Sequence, residues 1–116
     1  MGSAKNRSSM SADALEMIAE RFRVLGEPNR LRLLIALEQG EQSVGKLVKT
    51  TGLSQANVSR HLGALVQSGI LARRKAGLQV FYRVADPGIF EMCDHVCGSL
   101  SKRLAARAGV MPGPDA

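Results

Sequence analysis

Apolar residues recur every three or four positions over most of the chain, which is the spacing of amphipathic helices. A first helix is predicted from about Ser11 to Leu25, ended by Gly26. Its apolar stripe consists of Leu15, Ile18, Ala19, Phe22 and Leu25. A second helix is predicted from Pro28 and is ended by Gly40. Proline suits the first turn of a helix, because the backbone N–H that it lacks would have no partner there. Its predicted inward residues are Leu31, Leu34, Ile35 and Leu37, with Arg30 and Arg32 on the outer side.

Two further helices are predicted on either side of a tight, glycine-containing turn. After a brief extended segment over residues 41–44, Ser43 is placed to cap a third helix that runs to Thr51. Gly52 lies in the turn, Ser54 caps the next helix, and Gly69 ends it. The apolar stripe of this fourth helix is Val58, Leu62, Leu65 and Val66. Helix, turn and capped helix together predict a helix-turn-helix.

After Gly69 the pattern changes to the period of two that is typical of half-buried strands. Residues 70–75 and 79–84 are predicted to pair as a hairpin around a turn at residues 76–78. A hairpin directly after a helix-turn-helix is a wing. The sequence therefore predicts a mainly α protein with a β-hairpin wing, a winged helix-turn-helix.

A long last helix is predicted to begin at Asp86-Pro87, with the acidic residue at the favourable N-terminal end. Its apolar stripe is Ile89, Cys93, Val96, Cys97, Leu100 and Leu104. The domain is expected to span residues 11–108, with a disordered tail over 109–116. Residues 1–10 are expected to form a flexible arm, either native or partly a cloning remnant, with Met10 a plausible natural start.

Composition limits the classes of function. The 116 residues make one domain, and sixteen basic residues against ten acidic ones give a net charge of +6, which favours a polyanionic partner. Three Phe, one Tyr and no Trp argue against base-stacking platforms for single strands or RNA. There is no apolar run long enough for a membrane span and no secretory signal, and two cysteines without a signal indicate a reducing cytoplasm.

The polar face of the fourth helix predicts DNA binding. It carries hydrogen-bonding side chains and no carboxylate, which suits base edges and phosphates in the major groove. Predicted contacts on this helix are Ser54, Gln55, Asn57, Ser59, Arg60 and His61. Those on the wing are Arg73, Arg74, Lys75 and Gln79. The amides of Gln55 and Asn57 are expected to contact base edges, while Arg60 and the wing cations are expected to hold phosphates.

Three segments together resemble the ArsR/SmtB family of winged-helix repressors, from about residue 13 to residue 105. They are Phe22–Leu34, Gly52–Leu62 and Phe81–Val84. The resemblance implies a homodimer through the first and last helices, a palindromic operator, and release when an inducer binds. The residues agree on the dimer, because so short a chain cannot cover the apolar stripes of both helices.

The candidate inducer site follows from comparing this chain with the metal-binding patterns of its relatives. Metal-sensing relatives carry a Cys-Val-Cys segment near the third helix, where this chain has Ser43 and Gly45. Other relatives use Asp-x-His with a later histidine pair, whereas Asp94-His95 are adjacent here and no histidine follows. Cys93 and Cys97 remain, four residues apart on one helical face. They are suited to trivalent arsenic or antimony, another thiophilic ion, or oxidation by a reactive sulfur species or another oxidant without any cofactor.

Alternatives stay open. The cysteines are equally well explained as packing residues, in a regulator without small-molecule input. A winged helix used only for protein contacts is a second alternative. An enzyme is not expected, because the chain has no Cys-x-x-Cys, no βαβ alternation and no general base beside a nucleophile.

Overall fold

The computed structural model describes residues 4–108, with side chains described over residues 7–107. A short 3-10 helix over Ala4–Ser9 precedes the elements named here. These are α1 Ala12–Leu25, α2 Pro28–Leu37, β1 Gln42–Ser43, α3 Val44–Thr51, α4 Gln55–Gln67, β2 Leu71–Ala76, β3 Gln79–Val84 and α5 Gly88–Ala108. They form two compact units, the first ending at Val84 and the second beginning at Ala85. The tail predicted over residues 109–116 lies outside the described residues.

Serine side chains cap the N-terminal ends of three helices. The Oγ atoms of Ser11, Ser43 and Ser54 accept hydrogen bonds of 3.1–3.2 Å from the backbone N–H three residues later. Each such cap satisfies an orphan donor and stabilises its helix by about 1 kcal/mol. The predicted caps at Ser43 and Ser54 are thereby confirmed. At α2 the carboxylate of Glu27 accepts from the backbone N–H groups of the first turn, and Pro28 is the first helical residue.

Left-handed glycines set the turns around α4. Gly52, in the turn between α3 and α4, has φ +76°, and Gly69, after α4, has φ +83°. The N–H of Gly69 donates to the carbonyl of Val66, and the N–H of Ile70 donates to the carbonyl of Leu65. This pair of bonds is a Schellman motif, which satisfies the last carbonyls of a helix. The predicted helix end at Gly69 is therefore confirmed.

The core of the first unit is formed by α2, α3, α4 and the start of β2. Its most buried apolar side chains are Leu33, Leu34, Leu47, Val58, Leu62, Leu65 and Ile70. The predicted inward face of α2 was wrong in two places, because Leu33 is fully buried and Ile35 is 65% exposed. Arg30, expected on the outer side, is half-buried. The apolar run of α2 satisfies more than one helical register, and packing against α3 and α4 selects the one through Leu33, Leu34 and Leu37.

A three-stranded antiparallel sheet, in the order β1-β3-β2, attaches the wing to the helix-turn-helix. Gln42 of β1 pairs with Tyr82, and this short strand leads directly into α3. In the hairpin the register runs from Leu71 opposite Val84 to Ala76 opposite Gln79. The predicted hairpin is confirmed with a shorter loop, because the strands continue to Ala76 and Gln79 and leave a two-residue turn.

The apolar stripe of α1 remains largely exposed in a single chain. Leu15, Ile18 and Phe22 are exposed, with Phe22 at 57%. In the second unit, α5 starts where the sequence predicted, with the N–H of Ile89 donating to the carbonyl of Asp86. Val96 and Leu100 of α5 are exposed as well. Among the described residues, none of the helices is both long and apolar enough to cross a membrane.

Candidate nucleic-acid interface

The outward face of α4 gathers most of the side chains predicted to contact DNA. Ser54, Gln55, Asn57, Ser59 and Arg60 are all exposed, and α4 contains no acidic residue. The opposite face, through Val58, Leu62 and Leu65, is fully buried. The capping bond of Ser54 fixes where the helix begins and hence which residues face outward. The result is one continuous polar, carboxylate-free surface at the N-terminal end of a rigid helix.

Arg60 lies along this surface. Its Nη2 atom donates a hydrogen bond of 3.2 Å to Oδ1 of Asn57, one turn earlier. The guanidinium is therefore held beside the amide of Asn57, and both remain exposed. A guanidinium and a side-chain amide in this arrangement suit a phosphate next to a base edge.

His61 does not belong to the exposed face, and its prediction as a DNA contact was wrong. The side chain is 1% exposed, because it follows Val58 by three residues and precedes Leu65 by four, which places it on the buried stripe. Arg30 Nε donates a hydrogen bond of 3.1 Å to its Nδ1 atom. The same spacing in the sequence could have revealed the burial.

The surroundings of His61 favour the neutral imidazole. Burial lowers the pKa of His61, the nearby guanidiniums of Arg60 and Arg30 lower it further, and the Glu27 carboxylate opposes them. Arg30 donates to Nδ1, and Nη2 of Arg60 lies 3.4 Å from Nε2, so a guanidinium faces each ring nitrogen and disfavours the charged imidazolium. Nε2 lies 3.8 Å from Oε1 of Glu27, the residue that caps α2. His61 thus connects α4 to the beginning of α2 rather than to solvent.

The hairpin presents its cations unequally. Arg73 and Lys75 are exposed on β2. Arg74, expected to hold phosphate, is exposed as well and makes two hydrogen bonds of 2.8 and 2.9 Å to the carboxylate of Glu41, and its guanidinium lies 4.9 Å from the ring centre of Phe81. The bond from Arg74 lowers the pKa of Glu41. Glu41 is 33 residues away in the sequence, and only the pairing of β1 with β3 brings it to the wing.

A cavity of about 490 Å³ opens between α4 and the hairpin. Gln55 and Ser59 line it from α4, and Gln79 lines it from β3. Leu78, at the tip of the hairpin, borders it and is fully exposed. The two elements that carry the predicted contacts therefore face a common concave surface, with polar side chains on both sides.

The cysteines lie elsewhere. Cys93 and Cys97 are half-buried on α5, in the second unit, and are not joined as a disulfide. Asp94 and His95, between them, are exposed. Within residues 4–108 no group of three or more His, Cys, Asp or Glu side chains is arranged to hold a metal ion. The structure keeps the predicted spacing of the two thiols and adds no further ligand from the described chain.

A capped recognition helix, a glycine turn before it and a basic hairpin after it define a winged helix-turn-helix DNA-binding protein. Residues 27–73 match the family described as "Bacterial regulatory protein, arsR family". The chain is 35% identical over 94 residues to the HTH-type transcriptional regulator Rv0081 of Mycobacterium tuberculosis, covering 80% of this chain and 82% of that protein. The crystal structure of Rv0081 superposes with a TM-score of 0.71 at 33% identity, over 84% of this chain and 98% of that one.

Two further similarities extend the comparison. A probable mercury resistance operon repressor of Streptomyces lividans is 38% identical over 74 residues, covering 64% of this chain and 59% of that protein. A homodimeric winged helix-turn-helix domain of Mycobacterium bovis, Mb0332, superposes with a TM-score of 0.71 at 26% identity, over 91% of this chain and 95% of that one. The chain belongs to the ArsR family of transcriptional regulators, which bind DNA and are not enzymes.

Proposed function

We propose that this protein is a homodimeric transcriptional repressor that binds a palindromic operator. The observation that carries the proposal is the exposed face of α4, which offers Gln55, Asn57, Ser59 and Arg60 without a carboxylate. Ser54 caps the N-terminal end of α4. This end of the helix is suited to enter the major groove, where the exposed face would contact DNA. A repressor of this kind acts on operator DNA in the bacterial cytoplasm.

The dimer is supported by the apolar side chains left exposed on α1 and α5. Ile18 and Phe22 on α1, and Val96 and Leu100 on α5, are large apolar groups in water in a single chain. A second copy related by a two-fold axis covers such stripes without creating a new exposed one. The homodimeric state stated for Mb0332 supports the same assembly.

We assign base contacts to Gln55 and Asn57, whose amides can pair bidentately with adenine. Ser54, Ser59, Arg60, Gln79 and the exposed wing cations Arg73 and Lys75 contact the sugar–phosphate chains. Two copies of α4 in a symmetric dimer then require half-sites separated by about 10–10.5 base pairs or a multiple of that spacing.

Selection of binding sequences from a random duplex library tests this function. The expected result is a palindromic site protected symmetrically by one dimer. A sequence without two-fold symmetry contradicts the proposed mode of binding. The alternative of a module for protein contacts alone predicts that no duplex is enriched over the starting library.

For the inducer we propose the thiols of Cys93 and Cys97. Two thiols one helical turn apart are suited to a thiophilic ion such as trivalent arsenic or antimony, or to oxidation by a reactive sulfur species or another oxidant. The mercury resistance named for the Streptomyces relative supports a thiophilic ion. The opposing explanation, two half-buried packing residues in a regulator without an inducer, follows from the same burial.

Operator release distinguishes these explanations. Wild type and a Cys93→Ser/Cys97→Ser variant are bound to the selected operator, and arsenite, a persulfide donor, peroxide or zinc is added to each. Release of the wild type alone by arsenite, the persulfide donor or peroxide supports thiol sensing. Retention of the wild type under every treatment, or equal release of the variant, assigns the cysteines to packing.

A further inference from the structure

A second cavity, of about 260 Å³, lies between the C-terminal half of α4 and the base of the hairpin. Gly63, Val66 and Gln67 line it from α4, and Arg73 and Tyr82 line it from the hairpin. Arg73 and Tyr82 are opposite each other in the register of β2 and β3, so their side chains lie on the same face of the sheet. The polar groups around this cavity are a guanidinium, an amide and a phenol, and none is a carboxylate.

Tyr82 is more than nine-tenths buried, with 7% of its surface exposed. Within the described part of the chain, its hydroxyl has no hydrogen-bond partner. The hydroxyl oxygen is not one of the fully buried polar atoms that lack a partner in the described part of the chain, so solvent reaches it. The hydroxyl is therefore available to donate to a group that enters the cavity.

Gly63 lies on the outward side of α4, three residues after Arg60 and four before Gln67. Its φ is not in the left-handed region, and a Cβ added there meets no atom within 4 Å. A glycine in the middle of a helix weakens that helix relative to alanine. Neither the backbone nor the packing of this chain requires glycine here, and the missing side chain leaves room for an outside group to approach α4 closely.

Two guanidiniums lie near the C-terminal end of α4, which itself carries partial negative charge. The carbonyls of Leu65 and Val66, which would repel an anion, are already paired in the Schellman motif. The carbonyl of Ser68 accepts a hydrogen bond of 3.1 Å from Nη2 of Arg21, which brings a second guanidinium to the end of the helix. Arg73 itself is exposed.

We propose that this cavity is a binding site for a backbone phosphate of duplex DNA. Arg73, Gln67 and Tyr82 donate to the phosphate oxygens, and Gly63 lets the sugar–phosphate chain lie directly against α4. All three side chains can donate, and none carries a negative charge that would repel phosphate, which only accepts hydrogen bonds. This inference rests on the proposed function, and it adds a contact in the C-terminal half of α4 to those at its N-terminal end.

Two variants test this phosphate-binding site. Their affinity is measured for a random-sequence duplex of about 30 base pairs and for the operator. Tyr82→Phe removes the hydroxyl oxygen. It is expected to weaken binding to both duplexes about tenfold, because one hydrogen bond to a charged group is lost. Its salt dependence stays unchanged, because no charge is lost. Gly63→Ala is expected to raise the melting temperature while weakening binding by about fivefold. Gly98→Ala, at another mid-helix glycine with open space around it, is the matched control that gains stability without losing affinity.

Tyr82 also provides a direct spectroscopic probe, since the chain has one Tyr and no Trp. With ring-¹³C tyrosine, the NMR signals of this ring are expected to shift when duplex is added and to stay in place with inorganic phosphate at the same ionic strength. An equal shift with inorganic phosphate assigns the cavity to a free anion and overturns the proposal. Normal binding by both variants overturns it too, while leaving the proposed function intact. A wild type that binds no duplex refutes the proposed function itself.

Discussion

Arg30 Nε donates a hydrogen bond of 3.1 Å to Nδ1 of the buried His61, and this bond joins the first turn of α2 to the inner side of α4. The Nη1 atom of Arg30 also donates to the carbonyl of Val24, at the end of α1. One guanidinium therefore links three helices behind the outward face of α4. The buried stripe of Val58, Leu62 and Leu65 sets the rotation of α4, and this link adds a polar contact on the same side of the helix.

Removing the guanidinium leaves a buried acceptor unpaired. Arg30→Met keeps most of the aliphatic stem, and we expect it to lower the free energy of unfolding by about 1–3 kcal/mol. Urea denaturation measures the change. Arg32→Met, at an exposed position of the same helix, is the control and is expected to stay within about 0.5 kcal/mol of the wild type. Equal effects of the two substitutions would show that the link contributes nothing.

The lowered pKa of His61 predicts a loss of stability in mild acid. The unfolded chain takes up a proton near pH 6.5, whereas the folded protein, with burial and the charges of Arg60 and Arg30 outweighing Glu27, takes it up at lower pH. Stability is therefore lost as the pH falls below about 6.5 toward the folded pKa. The His61→Gln variant has no imidazole to protonate at this position, so this part of the loss of stability in acid is absent.

The measurement is the difference in unfolding free energy between wild type and His61→Gln from pH 8 to pH 5, in which the titration of carboxylates cancels. His95→Gln, at the exposed second histidine, is the matched control. Curves for wild type and His61→Gln that stay parallel over the whole range contradict the prediction.

The proposed dimer interface predicts opposite outcomes for two neighbouring residues of α1. Ile18 lies on the stripe with Phe22, whereas Met17, which is 75% exposed, lies on another side of the helix. Ile18→Glu buries an unpaired carboxylate in the interface, and we expect it to weaken dimerisation by at least about tenfold. Met17→Glu leaves it unchanged. Light scattering after gel filtration checks both, and dimers that persist in Ile18→Glu rule out this face.

The bond between Arg74 and Glu41 predicts that the wing cations contribute unequally to DNA binding. Lys75→Ala is expected to reduce the slope of log affinity against log salt by about 0.9, the value for one phosphate contact. Arg74→Ala has a smaller effect, because Glu41 already neutralises that charge. In a Glu41→Gln background the effect of Arg74→Ala is expected to approach that of Lys75→Ala. An equal effect of Arg74→Ala in both backgrounds would show that the ion pair does not persist on DNA.

Local signals in the sequence predicted most of the fold. The serines at positions 43 and 54, the glycines at 52 and 69, and the change of period after residue 69 each act within a few residues, so a pattern reveals them. The register of α2 was wrong because Leu33 and Ile35 belong to one apolar run, and only contact with other helices decides between them. His61 was predicted on the exposed face because histidine is a polar residue type. Its position, three residues after Val58 and four before Leu65, instead puts it on the buried stripe.

The remaining features depend on contacts that are distant in the sequence. Glu41 reaches Arg74 across 33 residues, and Arg30 reaches His61 across 31. No local pattern encodes such pairs, because the sheet register and the packing of α2 on α4 create them. The cavity between Gly63 and Tyr82 arises in the same way.

We propose that the exposed, carboxylate-free face of α4 reads duplex DNA in a symmetric dimer. Fluorescence anisotropy of the selected operator and of a scrambled duplex of equal length, at two salt concentrations, tests it most directly. We predict one dimer per operator, affinity that falls steeply with salt, and a preference for the operator that Gln55→Ala reduces by about 1–3 kcal/mol. Binding that does not change with salt, or an operator preference that survives Gln55→Ala and Asn57→Ala together, would show that this face does not read DNA.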